Sequence, residues 1–472
     1  MRMVKKEYLI SRDYLELPIA AETEVQTLQV FDKDTGAKIY EFQVPMGTEE
    51  KEFHPDFYAR LSVKNFIGKT LILTGCGNDA FFSGIQETDR EFGESDYDFS
   101  KESIARPQYH FTAIRGWIND PNGLVYSDGI YHLYFQYNPF DTRWENMSWG
   151  HATSTDLIHW RQQETVMYPD ENGYMFSGSG FVNSRGCLGL PEQTLMFYYT
   201  AAGECRPWTS EKLSTQRLAF STDGGKTLEK TDRGMVETIS HENRDPKVFW
   251  HEASQAYIMI LWVDGNEFAI LRSENLEKWE ISHRFELKDG FECPDLLRLK
   301  DENGEDHWFV TTADGYYYPG KFDGYHFTWN GERHGFYMNR VPYAAQVYSG
   351  TAGRSVLIPW LRVDFKGRNY TGAMGLPREL TLVKVAGDYR IALSPVKELD
   401  RELFSRCICD HAQNDFEVAG VPVSYNKESG KFLVGTDESV IAAGLDEFEV
   451  CVDNGIVEVT ADYDTMLGVY EV

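Results

Sequence analysis

Three carboxylates in this chain stand in settings that suit chemistry. Asp120 lies in Trp117-Ile118-Asn119-Asp120-Pro121-Asn122-Gly123, just before a strand-like run over 131–138. A Pro and a Gly around a polar centre are turn chemistry, so the segment predicts Asp120 where a strand ends and a loop opens. Asp245 in Glu242-Asn243-Arg244-Asp245-Pro246 and Glu292 in Phe291-Glu292-Cys293-Pro294-Asp295 share that setting, each close to a Pro and beside a strand-like run. A lone Asp or Glu is ordinarily a solvated loop residue or a turn cap, but three in matching contexts call for another reason. Two carboxyl groups about 5–5.5 Å apart are what retaining glycoside hydrolysis requires, one as nucleophile and one as acid then base. Their pKa values must be pushed apart for both roles to coexist near neutrality.

The whole chain narrows the partners. Its 472 residues carry a formal net charge of −28, with 42% hydrophobic and 14% aromatic residues. It has no basic block to form a phosphate-binding face, which argues against nucleic acid and anionic membrane surfaces. A neutral, polyhydroxylated small molecule suits the acids and the abundant Trp and Tyr. The seven cysteines are scattered, and Cys407-Ile408-Cys409 is too close and isolated for a metal site or a disulfide scaffold. The histidines lack metal-ligand spacing, so neither metal nor organic cofactor is expected. The N-terminus carries no apolar stretch of signal-peptide type, and no later run approaches a membrane span. The expectation is a cytoplasmic protein, or a secreted one if a signal peptide has been removed.

These acids need a scaffold that brings distant residues together. Strand-like runs over 24–31, 39–44 and 70–73, separated by Gly-rich turns, predict a β-sandwich-like unit over 1–105 with a connector from Arg90 to Ser103. From 106 to 404 short aromatic-rich strands follow one another. A serine-led turn recurs at Ser154-Thr155-Asp156-Leu157, Ser221-Thr222-Asp223-Gly224 and Ser273-Glu274-Asn275-Leu276. These turns begin roughly 50–70 residues apart, the size of a four-stranded unit with its loops, and predict a five-bladed β-propeller. The remaining residues, 405–472, predict a short C-terminal β region packed on the propeller or on the N-terminal unit. The fold class expected is therefore all-β.

The motifs resemble a known family. Alongside the three acidic segments stand Tyr137-Asn138-Pro139 through Trp149-Gly150-His151-Ala152, Phe176-Ser177-Gly178-Ser179 and Leu376-Pro377-Arg378-Glu379-Leu380. In this order they resemble glycoside hydrolase family 32, the β-fructofuranosidases that include invertases, inulinases and levanases. The resemblance implies Asp120 as nucleophile on the anomeric C2 of a fructosyl unit and Glu292 as acid and base. Asp245 would be the third carboxylate, holding fructose hydroxyls and stabilising the transition state. It also implies that Asn119, Gln136, Trp144, Phe176, Ser177 and Arg244 line the terminal-fructose pocket, while His151 serves packing. Late elements match at Tyr343-Ala344-Ala345-Gln346 and at Trp360, although Pro359 stands where Gly is commoner.

The function this implies is retaining, exo-acting hydrolysis of terminal β-D-fructofuranosyl residues from sucrose or fructo-oligosaccharides. Alternatives are a fructan hydrolase of the levanase or inulinase type, a fructosyltransferase, and a noncatalytic fructan-binding protein. The N-terminal unit is expected to act as support, as a surface for homo-oligomers, or as an ancillary sugar-binding module.

Overall fold

The structure is a computed structural model that describes residues 3–48, 52–90, 92, 99, 102 and 105–472. Most of the expected connector at 90–103 lies outside the described residues. Alternating apolar residues make the chain almost wholly β, as in Val25–Asp32, where Leu28, Val30 and Asp32 are buried and their neighbours only partly so. A one-turn helix, Asp79–Gly84, buries Phe81 and Phe82 and is capped by the Asn78 side chain accepting from Ala80 N at 2.8 Å. No helix of the described residues is long and apolar enough to cross a membrane.

The N-terminal residues form two sheets. One orders Val4–Leu9, Thr70–Gly75, Val25–Asp32 and Lys38–Pro45; the other orders Phe57–Ser62, Tyr14–Ile19 and Gln86–Thr88. Their shared core takes in Leu17, Leu28, Phe42, Leu61 and Leu73, together with Phe140 and Tyr168 from beyond residue 105. The N-terminal unit is thus joined to the rest of the molecule through apolar packing.

Five successive sheets follow. They begin with Gly116–Ser127, Tyr174–Val182, Arg244–His251, Asp295–Lys300 and Pro342–Val347. Here the expected five-bladed propeller is overturned, because every sheet is an open path of hydrogen-bonded strands with two edges and none closes on itself. A sequence repeat reports a repeated hairpin unit and carries no information about closure. What it marks is local: Ser154, Ser221 and Ser273 each end the third strand of a sheet, Ser148–Ser154, Thr215–Ser221 and Glu267–Ser273. Their hydroxyls fasten the following turn, through Asp156 at 2.9 Å, Asp223 at 2.7 Å and Leu276 N at 2.9 Å.

The first strands of these sheets lie side by side. Gly116–Ser127 contacts both Tyr174–Val182 and Pro342–Val347, and Tyr174–Val182 contacts Arg244–His251. Side chains tie them together: Ser179 Oγ donates to Pro246 O at 2.8 Å, and Gln346 Nε2 donates to Gly178 O at 3.0 Å. Tyr370–Thr371 adds a late strand, pairing in parallel with Gly116 and Trp117.

The C-terminal residues build two four-stranded sheets, Phe404–Ile408 with three strands from Glu447–Asp453 to Met466–Glu471, and Gln413–Val418 through Asp437–Val440. They enclose a core of their own containing Tyr425, Phe432, Phe448, Val450 and Val459. The strands are short, and the two sheets are held by packing on one another across that core. Among the described residues none of these strands pairs with the N-terminal sheets.

Candidate active site

The acids come from the first strands or the residues just before them. Asp120 is inside Gly116–Ser127 rather than at its end. The register with Ile130–Asn138 slips between Ile118 and Pro121 and again between Asn122 and Val125. The turn-forming residues therefore make β-bulges instead of a turn: Pro121 cannot donate to the ladder, and Gly123 takes φ 55. Asp245 sits in a similar slip between Arg244 and Lys247, with φ 65. Glu292 and Cys293 precede Asp295–Lys300 with φ 45 and 43. Non-glycine residues in this left-handed region cost about 1–3 kcal/mol each and persist only where surrounding contacts over-determine them. Two of the three acids carry such strain.

Hydrogen bonds join Asp120 and Asp245 through Cys293, and the charge of Glu292 reaches both. Ser177 Oγ donates to Asp120 Oδ2 at 2.6 Å, and Asn119 Nδ2 donates to its Oδ1 at 3.2 Å. Trp117 Nε1 in turn donates to Asn119 Oδ1 at 2.8 Å, fixing that amide. The Cys293 thiol lies 3.6 Å from Asp120 Oδ2 and 3.5 Å from Asp245 Oδ2, and Cys293 N donates to the latter at 3.1 Å. Glu292 is held from both sides: Tyr343 Oη donates to Oε2 at 2.6 Å, and Arg244 Nε donates to Oε1 at 3.2 Å. Arg244 also pairs with Glu242 at 2.7 Å and stacks 4.1 Å from the Trp262 ring centroid.

A small cavity of about 20 Å³ lies among Asp120, Ser177, Asp245, Lys247, Cys293 and Gln346, room for about one water. Lys247 is committed beneath it, pairing with Asp295 at 2.9 Å. Burial dominates the electrostatics. It raises Asp120 above the usual carboxylate range, helped by the negative charge of Glu292 and opposed by the bonds from Ser177 and Asn119. Burial likewise pushes Asp245 up to about 7, with Arg244 opposing and the other two acids reinforcing the rise. The Cys293 thiol is raised by the same burial and the surrounding acids, so it is a neutral donor between two carboxyl groups.

The other pocket residues are spread more widely. Phe176 and Trp144 meet edge to face at 6.2 Å, and Trp144 is 44% exposed. Gln136 is 1% exposed and donates to Met175 O at 2.8 Å; its bonds do not reach the acids. His151 is buried against Tyr134 and lies 3.1 Å from His132, with burial holding it well below the usual histidine range. Cys293 and Tyr343 make contacts that spacing did not reveal, although both stand inside the motifs. The ligand atoms of Asp301, Glu305 and His307 come within 4.8 Å of one another, but none of the three residues lines the acid cavity.

Clustered acids with aromatic neighbours, whose nearby cations Arg244 and Lys247 are held by Glu242, Glu292 and Asp295, suit a glycoside hydrolase type of site. The family profile for the glycosyl hydrolases family 32 N-terminal domain matches residues 110–395, and the chain belongs to that family. It is 33% identical over 334 residues to the levanase of Bacillus subtilis, covering 62% of this chain and 47% of that protein. The chain thus spans about half the length of that curated relative. The crystal structure of the exo-inulinase from Aspergillus awamori matches with a TM-score of 0.69 at 22% identity, over 80% of this chain and 94% of that one. A glycoside hydrolase family 32 structure from Bifidobacterium adolescentis matches at TM-score 0.64 and 18% identity, over 100% of this chain and 95% of that one. The last likeness extends the shared fold to the N-terminal unit.

Proposed function

We propose that the protein is a retaining, exo-acting β-fructofuranosidase that releases terminal β-D-fructofuranosyl residues from sucrose or fructo-oligosaccharides. The observation that carries this reading is the convergence of the three acids: the Cys293 thiol lies against both Asp120 and Asp245, and Glu292, held by Arg244, is close enough for its charge to act on both. In the first step an Asp120 oxygen bonds to the fructosyl C2. The bond from C2 to the leaving oxygen breaks, and that oxygen takes the proton of Glu292. In the second step Glu292 removes a proton from water, the water oxygen bonds to C2, and the ester to Asp120 breaks.

The partners of each acid suit these roles. Ser177 and Asn119 aim the Asp120 carboxyl group and favour its charged form against the rise that burial imposes. The Tyr343 hydroxyl can accept as well as donate, so it tolerates Glu292 in both protonation states, whereas Arg244 only donates and sets the orientation. Asp245, raised to about 7, can donate to a fructose hydroxyl when protonated, and when ionised its charge favours the oxocarbenium-like state.

The test is product release over time from sucrose, 1-kestose, inulin and levan by chromatography, with Asp120→Asn and Glu292→Gln as controls. Fructose released by the wild type alone supports the reading; binding of these sugars without release by the wild type refutes it in favour of a noncatalytic module. Similarity to a levanase gives longer fructans a place as a second substrate reading, and faster release from levan than from sucrose would select it.

A further inference from the structure

The N-terminal unit lies outside the segment matched by the family profile, yet it holds the edge of the acid site. Strand Lys38–Pro45 makes the connection. Gln43 N donates to Asn146 Oδ1 at 2.8 Å, and Asn146 Nδ2 donates back to Gln43 O at 2.8 Å. This amide is fully buried with φ 55, and it pins the turn that carries Trp144 and Glu145. Arg206, 6% exposed, donates to Glu41 O and to Asp170 O, each at 2.6 Å. It fixes a second turn, Pro207–Thr209, which presents Trp208.

Aromatic faces run outward from the acids to this second turn. Ser177, bonded to Asp120, follows Phe176; Phe176 meets Trp144 at 6.2 Å, and Trp144 meets Tyr174 at 6.0 Å. The Arg206 guanidinium then spans from the Tyr174 ring, 5.2 Å away, to the Trp208 ring, 4.7 Å away. From the N-terminal unit, Lys38 Nζ stands 5.0 Å from the same Trp208 ring and is itself paired with Glu41 at 2.5 Å. Cys205, next to Arg206, lies within electrostatic reach of Arg244, Glu242 and Glu145, which brings this turn to the Arg244 side of the site. Trp208 remains half-buried, so part of its side chain is open to solvent.

We propose that the N-terminal unit is the outer wall of the substrate cleft, and that Trp208, held by Lys38 and Arg206, is a stacking platform for sugar units beyond the scissile bond. The proposal rests on the fructosidase reading. An indole offers a rigid apolar face to the C–H face of a sugar ring, and its distance from Asp120, several side chains away, suits units remote from the terminal fructose. The N-terminal unit then sets chain-length preference through a specificity residue that lies far from the chemistry.

The experiment compares kcat/KM for a disaccharide and a pentasaccharide β-fructoside of one linkage in the wild type, Trp208→Ala, Trp208→Phe and Lys38→Ala. The readout is the pentasaccharide-to-disaccharide ratio within a single preparation, which is independent of the fraction of folded enzyme. Trp208→Ala is expected to lower that ratio about tenfold, chiefly through KM, with Trp208→Phe recovering most of it and Lys38→Ala lowering it less. A change below threefold for Trp208→Ala overturns the proposal while leaving the fructosidase reading intact. Absence of turnover of either sugar by the wild type overturns both, so the two failures are distinguishable.

Discussion

Two buried clusters of charge in this molecule solve opposite problems. One joins the central sheets to the C-terminal sandwich: His110 Nδ1 meets Asp453 at 2.8 Å, His110 Nε2 meets Glu458 at 3.1 Å, and Arg378 pairs with Glu458, all in near-complete burial. Its two cations balance its two acids. Hydrogen bonds and opposite charge hold Glu458 down to about 2 and raise His110 to about 9 against the opposing effect of burial. The other cluster sets Asp120, Asp245 and Glu292 against the single cation Arg244, and there burial and mutual repulsion raise Asp120 and Asp245. A structural cluster is built so that its charges satisfy one another. The acid site is left with excess negative charge, which suits the proposed reaction because positive charge would develop on the sugar there.

This contrast can be broken at either end. The largest effect is expected at Asp120→Asn, which should lower kcat by about 10⁴-fold or more while leaving the melting temperature unchanged or raised, as measured by steady-state kinetics and calorimetry. Replacing Arg378 with Met should do the reverse for stability. It leaves Glu458 with His110 alone as its cation, shared with Asp453, and should cost about 3–5 kcal/mol in denaturant unfolding. A loss below about 1 kcal/mol would mean that the balanced cluster is not holding the sandwich in place.

Asp245→Asn sharpens the comparison through pH. Because the folded-state pKa of Asp245 is raised to about 7 from 3.8, the folded protein holds this proton more tightly than the unfolded chain does. Its contribution to stability is therefore fully present below about pH 3.8 and is lost as the pH rises through about 7. Asp245→Asn should thus stabilise the protein at pH 8 by about 1–3 kcal/mol relative to the wild type and have little effect on stability at pH 4, while lowering kcat at both. His110 gives a similar slope from a cation: its stabilising contribution is complete below about 6.5 and is lost as the pH rises through about 9. His110→Gln should flatten the stability profile across that window. The smallest effect is expected from Cys293→Ala. It removes a neutral thiol donor between two acids and should lower kcat/KM by about two- to tenfold, with a displaced pH profile.

Much of the acid site was legible before any coordinates. Asp120, Asp245 and Glu292 were marked by Pro-flanked acidic segments beside strand-like runs, and the strands over 130–138, 195–202 and 256–264 followed from apolar and aromatic runs. The bulges at Asp120 and Asp245 were not legible, because a slip in register is set by how two strands pair and the pattern of neither strand alone states it. Tyr343 was not legible because its bond to Glu292 crosses 51 residues. In the C-terminal residues the strands alternate, as in Val421–Asn426 and Lys431–Val434, but which sheet each joins and the core they share follow only from packing. Sheet closure was misjudged because the serine-led repeat is a property of single hairpins.

The late pairing of Tyr370 and Thr371 with Gly116 and Trp117 bears on how the protein comes into being on the ribosome. The strand that carries Asp120 is made early, yet one of its edges waits for a partner about 250 residues downstream, and contacts so remote in sequence are slow to close. Until that stretch has left the exit tunnel, the nascent polypeptide presents an unpaired edge beside Asp120 without its finished surroundings. Catalytic competence should therefore arise near the end of synthesis, and the unpaired edge is the place where a chaperone would be needed most.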